Sequence, residues 1–136
     1  MIVLDLKSPQ PLPLKMRDNG EEFELLEAIK VNLASEHCPL WVEVPQGYVT
    51  DLATIPPEVA IFGFEKLGRH SYAAIIHDWM FTKQMGYELS NAAFYSLLRA
   101  SGVAQWKAAV MAFFCEAGGK SRYKKCGKLL DKGTAH

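Results

Sequence analysis

Two pairs of polar residues sit among unusually apolar neighbours: Thr50-Asp51 within VPQGYVTDLATIP, residues 44–56, and His77-Asp78 within IIHDWMF, residues 75–81. An imidazole exchanges a proton near neutral pH, and a carboxylate beside it can set its orientation, its charge or the position of a hard cation. Those residue types serve general acid–base hydrolysis. They also serve a fold that must tie an irregular segment to a helix, because buried polar groups need hydrogen bonds whether or not they react. On that second view Asp78 bonds the loop at residues 50–54, Asp51 fixes a turn, and His77 is a satisfied core residue on an apolar stripe.

The elements that must hold these groups change character midway along the chain. MIVLDLK alternates like a short first strand, and prolines at 9, 11 and 13 make the next stretch an extended connector lacking ladder donors. The β-branched IKV at 29–31 and LWVEVP at 40–45 predict two strands joined by the turn-like SEHCP. Gly47 permits a tight turn, and Pro56-Pro57 excludes regular structure at that point.

From Ser71 the period becomes helical. Ala73, Ile76, His77 and Met80 share a stripe over 71–84, with Asp78 about 100° further round. Ser90 reads as the N-cap of a second helix, with Leu89 stapling onto Phe94, and Gly102 as its left-handed end. Trp106, Ala109, Val110, Phe113, Phe114 and Ala117 predict the buried stripe of a third helix that stops at Gly118-Gly119. The expected fold is α+β: a small N-terminal antiparallel β-sheet packed against about three C-terminal helices. It is expected to be one domain over 1–136, with 1–56 mainly β and loop, 71–119 helical and 120–136 a basic tail.

Bulk properties narrow the function classes. A chain of 136 residues, 49% of them hydrophobic, builds one core and not two. Fifteen basic and fifteen acidic residues cancel, which excludes a surface built throughout for nucleic acid, and leaves only the basic tail at 120–128 for such contacts. Cys38, Cys115 and Cys126 form neither a disulfide framework nor a C-x-x-C pair, so they read as reduced thiols, Cys115 as a small core residue. His37, His70, His77 and His136 are too scattered for a zinc site. Trp41 and Trp79 are expected in the core, Trp79 also as the wall of a pocket. No apolar run approaches a membrane span and the N-terminus lacks the pattern of an export signal, so the expected place is a host cytoplasm, and the virion for a protein later built into one.

PQGYVTDLATIP, GRHSYAAIIHDWMF and LSNAAFYSLLRASGV together resemble a small family of unknown function found in tailed-phage and prophage genomes. Its pattern is P-x-G-F-x-T-D-x-A-S-I-P, then a helix with His-Asp and an aromatic, then a helix that starts Ala-Asp. The resemblance covers roughly residues 40 to 119 and maps onto Thr50, Asp51, Ile55, Pro56, His77 and Asp78. The chain departs from it at Tyr48, Thr54, Phe81 and Asn91, where Phe, Ser, Tyr and Asp are usual. The last departure bears on chemistry, since a carboxylate would stabilise a charged His77 and an amide does not.

His-Asp on a helix is also similar to the secreted calcium-dependent phospholipases, whose paired cysteines this chain lacks. That similarity implies His77 as general base for a water, Asp78 on a divalent cation such as calcium, Asn91 orienting the imidazole and Asp51 nearby. The cation's other ligands would be backbone carbonyls from a loop such as residues 45–51. Two functions are therefore expected. One is a non-enzymatic phage- or prophage-encoded component, virion- or tail-associated or host-interacting, with other phage structural proteins or a host protein as partners. The other is a metal-assisted, phospholipase-like hydrolase.

Overall fold

The computed structural model of the protein describes residues 1–4, 13–33, 40–51 and 70–131. His37, Cys38, Thr54, Ile55, Pro56 and His136 lie outside the described residues. The N-terminal part forms two three-stranded sheets. In the first, β1 (Ile2–Val3) pairs with β4 (Ile29–Asn32), which pairs with β5 (Trp41–Val44). The second runs in the order β2 (Leu14–Met16), β3 (Phe23–Leu25), β6 (Val49–Thr50). All pairs are antiparallel except β1 with β4, which is parallel. The expectation of one antiparallel sheet thus becomes two small sheets within the same α+β class.

Alternation decides which side of each strand faces inward. Ile29 and Val31 point into the core with Val42 and Val44 of the neighbouring strand, while Lys30, Glu43 and Trp41 point out. Trp41 is therefore not a core residue. It lies 48% exposed on the outer face, with Lys30 Nζ 4.9 Å from its ring centre. The turn between β5 and β6 depends on Gly47, whose φ of +89° suits glycine, and Gly47 N–H donates to Leu25 O at 2.7 Å.

Among the described residues three helices follow, α1 (Ser71–Thr82), α2 (Tyr87–Ala100) and α3 (Gln105–Asp131), and α1 packs against β5. α1 is the central one. Ile75, Ile76, Met80 and Phe81 are fully enclosed, as are His77 and, nearly, Asp78, because the helix packs against α2, α3 and β5 at once. α2 begins earlier than Ser90. Gly86, at φ +121°, starts it, and buried Ser90 lies in the first turn with its hydroxyl donating to Gly86 O at 2.6 Å. Its end does fall at Gly102, at φ +89°, with Gly102 N–H on Arg99 O and Val103 N–H on Leu98 O.

α3 departs furthest from expectation. It runs through Gly118-Gly119 to Asp131, so the basic segment that follows the glycines is helical. Gly119 is buried, and a Cβ there would lie 3.6 Å from the rings of both Phe81 and Tyr87. The glycine serves close approach between helix and rings, which is a different use from termination. The buried face is also not the predicted stripe. Ala108, Met111, Cys115 and Gly119 turn inward, whereas Trp106 and Phe113 are 55% and 66% exposed. Small residues win that position because α3 packs closely on α1 and α2, where large rings would not fit.

Candidate functional site

A chain of polar contacts crosses the centre of the molecule. Thr50, at the end of β6, donates its hydroxyl to Asp78 Oδ2 at 2.6 Å. The other carboxylate oxygen faces Arg122 Nη2 of α3 at 3.7 Å. The same Nη2 lies 3.4 Å from His77 Nδ1, and the opposite edge of the imidazole, Nε2, lies 2.8 Å from Asn91 Oδ1 on α2. One strand and three helices are joined through five side chains.

The partners decide the tautomer of His77. A guanidinium only donates, so Nδ1 facing Arg122 must carry a lone pair, and Nε2 then carries the proton that Asn91 Oδ1 accepts. The ring stays neutral. Burial pushes its pKa down from 6.5 to about 4, the Asn91 bond works the other way, and the Arg122 charge adds to the lowering. Phe81 and Phe94 flank the ring at centroid distances of 4.2 and 5.0 Å. Cys115 Sγ sits 3.7 Å from Nε2, and its thiol is pushed up to about 11, chiefly by burial. A free thiol so placed is a packing group, as expected for Cys115.

Asp78 also borders a cavity of about 240 Å³. Thr50 of β6 and the residues flanking β3 and β6, namely Glu22, Tyr48 and Asp51, line one part of it, and the far half of α3 contributes Arg122 and Lys125. Tyr48 is nearly buried, its hydroxyl is 3.1 Å from Thr82 Oγ1, and burial together with the Asp78 charge raises its pKa. Trp79 packs edge-on against Tyr48, with ring centres 5.1 Å apart.

Of the residues singled out in the sequence, Thr50, His77, Asp78 and Asn91 come together. Asp51 is exposed and meets Asp78 only across the cavity lining, to which His77 and Asn91 do not contribute among the described residues. Arg122 was missed, although it touches both members of the His-Asp pair. Continuing the helical period past the glycines would have found it, because Cys115, Gly119, Arg122 and Cys126 share one face of α3.

A divalent cation suits this arrangement poorly. It would compete with Thr50 and a guanidinium for Asp78, and no group of three or more His, Cys, Asp or Glu among the described residues could hold a metal ion. Among the described residues no helix is long and apolar enough to cross a membrane.

The chain matches the family described as "Protein of unknown function (DUF1353)" over residues 23–114. The match spans the strands around Thr50, all of α1 and α2, and α3 to one residue before Cys115. No curated protein and no solved structure matches the chain.

Proposed function

Starting from the chain's membership of the DUF1353 family of proteins of unknown function, we propose that it is a non-enzymatic phage- or prophage-encoded component, virion- or tail-associated or host-interacting. In this reading Thr50, Asp78, Arg122, His77 and Asn91 form a polar staple that fixes the β6 end to the three helices. The observation that carries it is His77, which has no exposed surface and has polar groups at both ring nitrogens. A general base must reach a substrate or a water with one open edge, and a base held near pKa 4 is weak at neutral pH. The phage assignment rests on the motif resemblance at Thr50-Asp51 and His77-Asp78. The exposed rings of Trp106 and Phe113 support a protein that works by touching another protein chain, phage-structural or host. Production in the host cytoplasm, with the virion as a final place, belongs to the same proposal.

One observation favours the alternative, a hydrolase: the cavity bordered by Asp51 and Asp78. The two are separated by assaying the purified protein on ester and phospholipid substrates, with calcium and with chelator, beside Asp78→Asn. The expected result is no turnover above buffer in any arm. Turnover that disappears in a folded Asp78→Asn protein and survives in Lys125→Gln would establish the hydrolase instead.

A further inference from the structure

The outward face of α3 has a period of its own. Trp106, Val110, Phe113, Ala117, Lys120 and Lys124 follow one another in steps of four, three, four, three and four residues. That is the spacing of a coiled-coil seam, which stays in line with a second helix along its whole length. The line lies opposite the inward residues Met111, Cys115 and Gly119, and all of its members are exposed except the half-buried Val110. Lys107 Nζ lies 5.6 Å from the Trp106 ring centre and Phe114 meets Phe113 edge-on at 5.5 Å, yet Trp106 and Phe113 both stay more than half exposed. The line changes chemistry along its length. It is apolar from Trp106 to Ala117 and cationic at Lys120 and Lys124, and no acid among the described residues pairs with either lysine.

We propose that this face docks a helix of another protein chain, antiparallel to α3, whose seam is acidic in its N-terminal half and apolar in its C-terminal half. Period selects a helix, since alternate steps of four and three residues suit a neighbouring helix better than an extended segment. Charge selects its sequence. Lysines within a seam need carboxylates opposite them, while Trp106 and Phe113 need apolar partners. The antiparallel direction follows, because acids then fall near the positive N-terminal end of the partner helix and meet the lysines in the C-terminal half of α3. A second copy of α3 fits less well. Its acids are Glu116, on the flank of the line, and Asp131, at the end of the helix, so a parallel copy sets lysine on lysine and an antiparallel one brings no acid to them. A bilayer also fits less well, because residues on one line of a helix lie at one depth, whereas rings and ammonium groups take different depths. The proposal deepens the reading of a protein that works by contact and rests on it.

Titration calorimetry on the intact chain tests it with a synthetic peptide about three heptads long, carrying Glu at the seam positions of its N-terminal half and Leu at those of its C-terminal half. One control peptide has Lys in place of Glu, and another has the two halves exchanged. Phe113 and Lys124 are both exposed, so Phe113→Gln and Lys124→Gln leave the core intact, which circular dichroism checks. The expected result is micromolar binding of the first peptide, with each control and each variant weaker by about tenfold or more. The proposal is overturned by no binding at millimolar peptide, by a control that binds as well, or by variants that bind like wild type. It is overturned equally by a wild-type dimer in sedimentation equilibrium that Phe113→Gln abolishes, which makes a second copy the occupant, or by pelleting with phosphatidylserine vesicles that either variant abolishes, which makes it a bilayer. Failure of the contact reading itself is seen separately, as turnover in the substrate assays, where the residue changed is Asp78, outside this face.

Discussion

Asn91 Oδ1 stands 2.8 Å from His77 Nε2 and joins α2 to α1 at the one edge of the imidazole that carries a proton. The opposite edge faces Arg122 Nη2 at 3.4 Å, so the ring is held between an acceptor and a donor and is neutral. The amide oxygen accepts a hydrogen bond from the ring and favours its charged form, but without the full negative charge of a carboxylate it leaves burial and Arg122 to keep the ring neutral.

That arrangement sets a pH dependence. The folded-state pKa of His77 is about 4, below the ordinary 6.5, so between those values the unfolded chain binds a proton that the folded chain refuses. Stability from this residue is complete above pH 6.5, falls as pH drops toward 4 and levels off below that, a loss of about 3 kcal/mol from roughly 1.4 kcal/mol per unit. Thermal unfolding from pH 7 to 4 should show this decline. Asn91→Asp should raise the His77 pKa and shrink the decline, with ring-proton titration by NMR as the direct readout. An unchanged pKa in that variant would contradict the contact.

The two halves of α3 respond differently to the loss of glycine. Gly118 has open space where a Cβ would go, so Gly118→Ala should stabilise by about 1 kcal/mol through helix propensity alone. Gly127 has Gln84 Oε1 at 2.6 Å from that position, and Gln84 Nε2 donates to Phe81 O and Tyr123 O at 2.8 and 2.9 Å. Gly127→Ala must push this side chain aside, so it should lack the gain and lose stability. Equal midpoints for the two variants would mean that α3 does not clamp the α1–α2 turn.

The facing of α3 is open to the same kind of check. Met111→Ala, at a fully enclosed site, should cost about 2–5 kcal/mol, whereas Phe113→Gln should stay within about 0.5 kcal/mol because Phe113 is largely in solvent. Denaturant unfolding of both variants measures the difference. The opposite order would restore the Trp106–Phe113 stripe as the core face.

The sequence pattern shows the α+β class, strands over 29–31 and 40–45, the Gly47 turn and the Gly102 stop, and it singles out His77, Asp78 and Asn91, which the fold brings close, whereas the Thr50 hydroxyl on Asp78 takes the place of the loop amides expected there and Asp51 stands apart. It misleads where tertiary packing reverses a local preference. Gly118-Gly119 resembles a helix end until Phe81 and Tyr87 are seen against Gly119, and the large rings of α3 outweigh Ala108 and Cys115 in any hydropathy pattern although close packing needs the small residues inside. Both errors hide Arg122. With the helix ended early, its guanidinium belongs to a tail, and the cation between His77 and Asp78 goes unnoticed.

The measurement that bears most directly on the central claim is the thermal unfolding midpoint of the wild type and of Asp78→Asn, each with chelator and then with saturating calcium, magnesium, manganese or zinc. A ligand that binds only the folded state must raise the midpoint. A polar staple predicts no shift with any metal in either protein and a lower midpoint for Asp78→Asn, by about 1–3 kcal/mol of lost stability. A metal that raises the wild-type midpoint and leaves the variant unmoved would contradict the staple and make Asp78 a ligand.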